Sequence, residues 1–240
     1  MVDRSVLARR FRSRRGLAMT AVAVLSLALS TSSTLTDVAS AAPAPLANAK
    51  KALLRLSDMP KGWTASASSS DNSSFPGAAK LAGCIGIPLH VLTTNPPSVS
   101  SPTFNSANQL LSIGDSVSTY PSAAAAATDF AALANSKTPA CFASDLNGPG
   151  KKALSASFGK GFTIGKIDAT RAPNSEFAPE TSNIAIAFPV TESGVKLEVL
   201  LVIVDYVKGD EEQTIDLTAV QAAFPISLAR RLTVLADARI

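Results

Sequence analysis

Apolar positions along the chain switch between two periods, and the switches mark its elements. Asn183 to Val190 and Val195 to Val207 are two strand-length blocks around Thr191-Glu192-Ser193-Gly194, a pattern that predicts a hairpin. Within the second block Leu197 to Val204 (LEVLLVIV) is almost continuously apolar, as expected of a central strand covered on both faces. A second turn, Lys208-Gly209-Asp210-Glu211-Glu212, leads into a further strand over Gln213 to Leu217. Gln109 to Tyr120 alternates loosely with β-branched residues, and Gly161 to Arg171 (GFTIGKIDATR) alternates imperfectly, so both read as strands.

Elsewhere the period is helical. Ala49 to Leu56 (AKKALLRL) sets Ala52, Leu53 and Leu56 at helical spacing. Ser122 to Asn135 (SAAAAATDFAALAN) has strong helix propensity from its alanines, with Pro121 at a first-turn position and Ala126, Phe130 and Leu133 as one stripe. Phe224 to Arg239 reads as an amphipathic helix with Leu228, Leu232 and Leu235 inward. Asp58-Met59-Pro60-Lys61-Gly62-Trp63 breaks the first helix, Ser66 to Pro76 reads as an exposed loop, and Gly83 to Pro88 (GCIGIP) as a buried turn. Thr93 to Phe104, with three prolines, reads as irregular. Helix, strand, helix, hairpin-linked strands and a final helix predict an α+β fold. It is a single domain with a twisted, mainly antiparallel sheet packed by helices.

The first 41 residues follow a different logic. Six arginines (Arg4, Arg9, Arg10, Arg12, Arg14, Arg15) precede the apolar run Leu17 to Leu29, and Ala39-Ser40-Ala41 closes the segment. This is the layout of a secretory signal peptide, cleaved near Ala41, whose apolar run is too short to span a bilayer. Residues 42–240 are then the mature domain, secreted or otherwise extracytoplasmic in the cell envelope, with no stable membrane span after cleavage. Ser13-Arg14-Arg15-Gly16-Leu17 resembles a twin-arginine export signal. An ordinary basic leader accounts for the same residues, so the export route stays open.

Removing the leader changes the charge balance. The chain has 22 basic and 18 acidic residues, and the leader holds six of the former and two of the latter, Asp3 and Asp37. The mature domain is therefore formally neutral and offers no basic patch for nucleic acid. Its two cysteines, Cys84 and Cys141, form an even pair in an exported chain and are expected to be joined.

The chemistry-bearing motifs are weak. His90 is the only histidine, and no G-x-S-x-G elbow accompanies it. Ser157-Phe158-Gly159-Lys160 and Ser70-Asp71-Asn72 match two penicillin-interacting motifs, but in the wrong order and without K-T-G. Gly159, Gly161 and Gly165 before Lys166 do not have phosphate-loop spacing. Asp210-Glu211-Glu212 reads as a solvated turn rather than a calcium loop. Trp63 reads first as a buried anchor and second as a candidate ligand contact. No catalytic residue, metal ligand or cofactor site is predicted.

Three stretches together resemble a known family: Leu53 to Thr64 (LLRLSDMPKGWT), Ala82 to Pro88 (AGCIGIP), and the run from Pro102-Thr103-Phe104 through the alanine helix to Cys141. Their order is similar to secreted actinobacterial proteins with a PknH-like extracellular sensor domain. The chain departs from that setting in lacking a kinase domain and in having one cysteine pair rather than two. The resemblance implies an α+β domain with a cleft for an unidentified envelope ligand. The expected function is a secreted, non-enzymatic, sensor-like binding module of the bacterial cell envelope whose partner is an unknown ligand or protein. A carrier of lipid or another apolar ligand and a hydrolase with an unconventional site are the alternatives.

Overall fold

The computed structural model describes residues 44–67, 77–158 and 161–240. The leader over 1–41, most of the Ser66–Pro76 loop, Ser70-Asp71-Asn72, Gly159 and Lys160 lie outside them. The described elements are, in order, α1 (Ala44–Ala52), a 3-10 turn (Leu56–Asp58), β1 (Thr64–Ser66), α2 (Ala78–Ile85), α3 (Leu89–Thr93), β2 (Ser98–Ser100) and β3 (Thr103–Asn105). They continue with β4 (Leu111–Thr119), α4 (Ala123–Ala134), α5 (Thr138–Leu146), α6 (Pro149–Phe158), β5 (Phe162–Ile164) and β6 (Asp168–Thr170). A second 3-10 turn (Asn174–Glu176) then precedes β7 (Ser182–Glu192), β8 (Val195–Lys208), β9 (Glu211–Val220) and α7 (Ile226–Asp237).

All strands belong to one antiparallel sheet in the order β1-β3-β4-β9-β8-β7-β5. The outer edge of β4 is shared by β2 and β3, and that of β7 by β5 and β6. The β7–β8 hairpin closes over two residues, with Ser193 at φ 48° and Gly194 at φ 76°. Left-handed backbone at both positions matches the twist of the flanking strands. Lys208 opposite Glu211 closes the β8–β9 hairpin equally tightly.

β8 lies between β7 and β9, which explains its continuous apolar run. Val199, Leu201 and Ile203 point to one face, where Leu81 and Ile85 of α2, Phe142 and Leu146 of α5, and Leu154 and Phe158 of α6 cover them. Val202, Val204 and Tyr206 point to the other, under Leu228, Leu232 and Ala236 of α7. α1 packs on this second face, with Ala49, Ala52 and Leu53 against Val117. The domain is thus helices, sheet, helices. Cys84 of α2 and Cys141 of α5 are joined, with Cα atoms 5.8 Å apart. The expected α+β architecture and disulfide are both present.

Local differences have local causes. Cys84 sits within α2 rather than in a turn. The Leu81–Ile85 stripe drives the helix, and Gly86, at φ 86°, ends it in the left-handed conformation. α1 ends at Ala52 and Leu56 is 45% exposed, so only Ala52 and Leu53 of the expected stripe are buried. Pro121 precedes the helix cap instead of entering α4; Ser122 is the cap, and its Oγ accepts from the Ala125 amide at 3.2 Å. The proline-rich Thr93–Phe104 segment contains β2 and β3, whose prolines fall outside the paired residues. α5 and α6 were not expected at all.

Candidate ligand-binding groove

β4 and β9 alternate cleanly. Ile113, Val117, Ile215, Leu217 and Ala219 point into the second-face core. The intervening positions are nearly all polar: Ser112, Gly114, Ser116 and Ser118 on β4, and Glu212, Thr214, Asp216 and Thr218 on β9. Register sets them in rungs: Ser112 opposite Thr218, Gly114 opposite Asp216, Ser116 opposite Thr214, and Ser118 opposite Glu212. Asp205 of β8 extends the Thr214 rung. While β7 and β8 carry apolar side chains on this face, β9 and β4 carry hydroxyls and carboxyls. Gly114, Ser116, Ser118, Thr214 and Asp216 are only half-buried, so the polar strip is an open groove.

α4 forms one wall. It starts directly after β4 and packs across β9, β8 and β7, approaching closely through the buried Ala126 and Ala132. Its far end is held by Arg171, which donates to the carbonyls of Leu133 and Asn135 in the last turn and to Ser182 Oγ and the Asn183 carbonyl of β7. A guanidinium at a helix C-terminus satisfies free carbonyls and opposes the helix dipole. Asp129, on the middle of α4, is turned toward Tyr120 and Glu212. The Tyr120 hydroxyl donates to Glu212 Oε2 at 2.8 Å.

Four carboxyls therefore crowd one region with little compensating charge. Burial, then the charges of Asp205 and Asp129, pushes Glu212 up to about 9. Burial and the neighbouring Asp216 and Asp129 push Asp205 up to about 7, against a 2.7 Å hydrogen bond from Thr214 and the charge of Arg171. Asp216 is also raised to about 7, by burial and by Asp115 across the sheet. Asp129 is raised by burial. At neutral pH this group holds protons that isolated carboxylates would have lost. Asp205 Oδ2, Glu212 Oε1, Asp216 Oδ1, Ser112 Oγ and Thr218 Oγ1 are enclosed and have no hydrogen-bond partner among the described residues. Buried polar atoms are nearly always paired, so such a set calls for a partner.

Glu212 corrects one expectation. It is 4% exposed and lies at the centre of the carboxyl group, so the Asp210-Glu211-Glu212 run is not a wholly solvated turn. The other residues singled out from sequence lie elsewhere. Trp63 is half-buried against the core of the opposite face. His90 is exposed on α3. Gly161 and Gly165 flank β5, and Lys166 pairs with Asp168 at the surface. The groove residues were missed because no single motif contains them. Their signal was polar residues at every second position of two strands, readable only once those strands were paired.

Two other buried polar groups are structural. Asp115 accepts from the Leu54 amide at 2.6 Å and from Gln213 at 2.7 Å, while Arg239 grips Asp58 through both guanidinium nitrogens, anchoring α1 and the chain end. Asp145 of α5 lies against Gly77 and Gly150: a Cβ at Gly77 would come within 1.9 Å of Asp145 Oδ2, and one at Gly150 within 2.8 Å. Close approach requires both glycines.

No family model and no curated protein matches the chain. Among solved structures it is similar to the extracellular domain of PknH from Mycobacterium tuberculosis, at 10% identity over 80% of this chain and 96% of that one, with a TM-score of 0.34. At that level of agreement the likeness supports no argument about ligand or activity.

Proposed function

We propose that this chain is a secreted, non-enzymatic, sensor-like binding module of the bacterial cell envelope, and that its ligand occupies the groove over β4 and β9 beside α4. One observation carries this reading. Enclosed carboxyl and hydroxyl oxygens without partners converge from β4, β8 and β9 on open space above Gly114. Export is supported by the leader pattern and by the Cys84–Cys141 bridge, a bond that persists in oxidising compartments. The polar lining favours a polar ligand over the apolar cargo of a lipid carrier.

The test is a thermal-shift screen of the purified protein against polar envelope metabolites. A binder at about 100 times Kd stabilises the native state by about 2.7 kcal/mol. Its effect is expected to vanish in Gly114→Val, which fills the groove floor. A binder whose effect survives that change would place the site elsewhere. The hydrolase reading draws on the same carboxyls, because a raised proton affinity also suits a general acid. Turnover that is lost in a folded Glu212→Gln variant would replace the binding reading with that one.

A further inference from the structure

Resting on that reading of the groove, we propose that the ligand is a small organic cation: a primary ammonium on a hydroxyl-bearing frame of monosaccharide size, with its nitrogen between Asp205 and Asp216. The groove lacks donors, not acceptors. Its enclosed unpaired atoms include three carboxyl oxygens, those of Asp205, Glu212 and Asp216. An ammonium group brings three donors and no acceptor, the complement of that set. Arg171, the one cation acting on Asp205, gives its hydrogen bonds to carbonyls and to Ser182 instead of to a carboxylate. None of the four carboxyls is in a salt bridge.

A single metal ion fits less well. Asp205 and Asp216 stand on neighbouring strands and adjacent rungs, a diagonal whose Cα atoms are about 7–8 Å apart. Among the described residues no three acidic, histidine or cysteine side chains cluster closely enough to hold an ion. The hydroxyls supply the frame's contacts. The Ser112–Thr218 and Ser116–Thr214 rungs lie four residues apart along the strands, about 13 Å. Between them stands Gly114, with ordinary φ, where a Cβ would meet only Asp216 at 3.7–3.8 Å. Neither backbone nor neighbours require glycine there, and a strand glycine without such a reason marks close approach of a ligand.

Binding of a cation displaces protons from the carboxyls. The groups facing the nitrogen are Asp205 of β8, Asp216 and Glu212 of β9, Asp129 of α4, Tyr120 after β4 and Arg171 before β7. Asp115 acts through the sheet. Affinity therefore rises from pH 6 to pH 8, while the amine stays charged.

The experiment is isothermal titration of the purified protein with glucamine (1-amino-1-deoxysorbitol), with sorbitol, its neutral counterpart, and with magnesium chloride. Glucamine is expected to bind one to one at pH 8 with proton release. Its affinity should fall at least tenfold at pH 6, and sorbitol should bind at least tenfold more weakly. Asp216→Asn should weaken glucamine at least tenfold while the protein still unfolds cooperatively; if it fails to fold, Gly114→Val serves as the second variant. Sorbitol binding as tight as glucamine, with both abolished by Gly114→Val, overturns the cationic ligand and leaves the groove. Glucamine binding unchanged by both variants overturns ligand and groove together. Binding of magnesium alone, or of none of the three at millimolar concentration, overturns the cationic ligand.

Discussion

Replacing Gly114 by Ala should stabilise the protein. A glycine in a strand interior is less stable than alanine by roughly 0.5–1 kcal/mol, because its unfolded chain has more conformations to lose. The gain is realised only where the added methyl group fits. At Gly114 its nearest neighbours are Asp216 Cβ at 3.7 Å and Oδ2 at 3.8 Å, which is ordinary contact. For a domain of this size about 0.5–1 kcal/mol corresponds to a rise in Tm of roughly 1–4 °C. The control is Gly165→Ala just after β5, where a Cβ would come within 2.4 Å of Pro189 Cγ and should destabilise. Calorimetry and urea unfolding of both variants beside the parent decide the matter, with an unchanged m-value required for the comparison. A Gly114→Ala protein less stable than the parent would show that the fold itself needs this glycine, and the argument for ligand space would fall.

Stability should also fall as pH rises. Asp115, Asp205, Asp216 and Glu212 bind protons more tightly folded than unfolded, so the native state holds more protons between about pH 4 and pH 9 and loses stability across that window. Asp58 is lowered and acts oppositely, its contribution vanishing only on acidification below the ordinary carboxylate range. Thermal scans from pH 5 to pH 9 should show a falling Tm, with a shallower slope in Glu212→Gln; a flat profile refutes the buried-carboxyl account. Replacing Cys84 and Cys141 by Ser should lower the unfolding free energy by about 2–4 kcal/mol, near the chain-entropy figure for a separation of 57 residues. Two free thiols found by mass spectrometry in exported protein would defeat that expectation. Gly77→Ala should destabilise by about 1–3 kcal/mol through its clash with Asp145, and Asp145→Ala should recover part of the loss. No recovery would mean the glycine matters for another reason.

Features set by local pattern were legible in the sequence. The Thr191–Gly194 hairpin, the doubly covered Leu197–Val204 strand, the capped alanine helix and the Leu228–Leu232 face each follow from neighbouring residues, and each is present. α5 and α6 were not legible, because their inward residues Phe142, Leu146, Leu154 and Phe158 are interrupted by Pro139, Pro149, Gly148 and Gly150. Packing against β7 and the bridge to α2 overrides that composition. The groove was illegible for a different reason. Glu212, Asp205, Asp216 and Tyr120 are harmless surface letters in one dimension and become a site only through β4–β9 and β8–β9 registry. Charge runs such as Asp210-Glu211-Glu212 average over the two faces of a strand, so one exposed acid conceals a buried one.

The order of strands has a consequence for the emerging chain. β7, β8 and β9 form a meander of tight local turns, yet β4 finds its full-length partner only in β9, about a hundred residues later. A protein threaded out N-terminus first delivers β4 and α4 long before residues 211–220. Until then one edge of β4 has no template, and the hydroxyls of its groove face have nothing to face. Closing so long a loop is slow, and an unpaired strand edge is open to wrong partners during the wait. The Ser, Gly and Asp residues of β4 are poor material for adventitious pairing. The composition that suits the strand to a polar ligand in the finished domain also protects it while it is still alone.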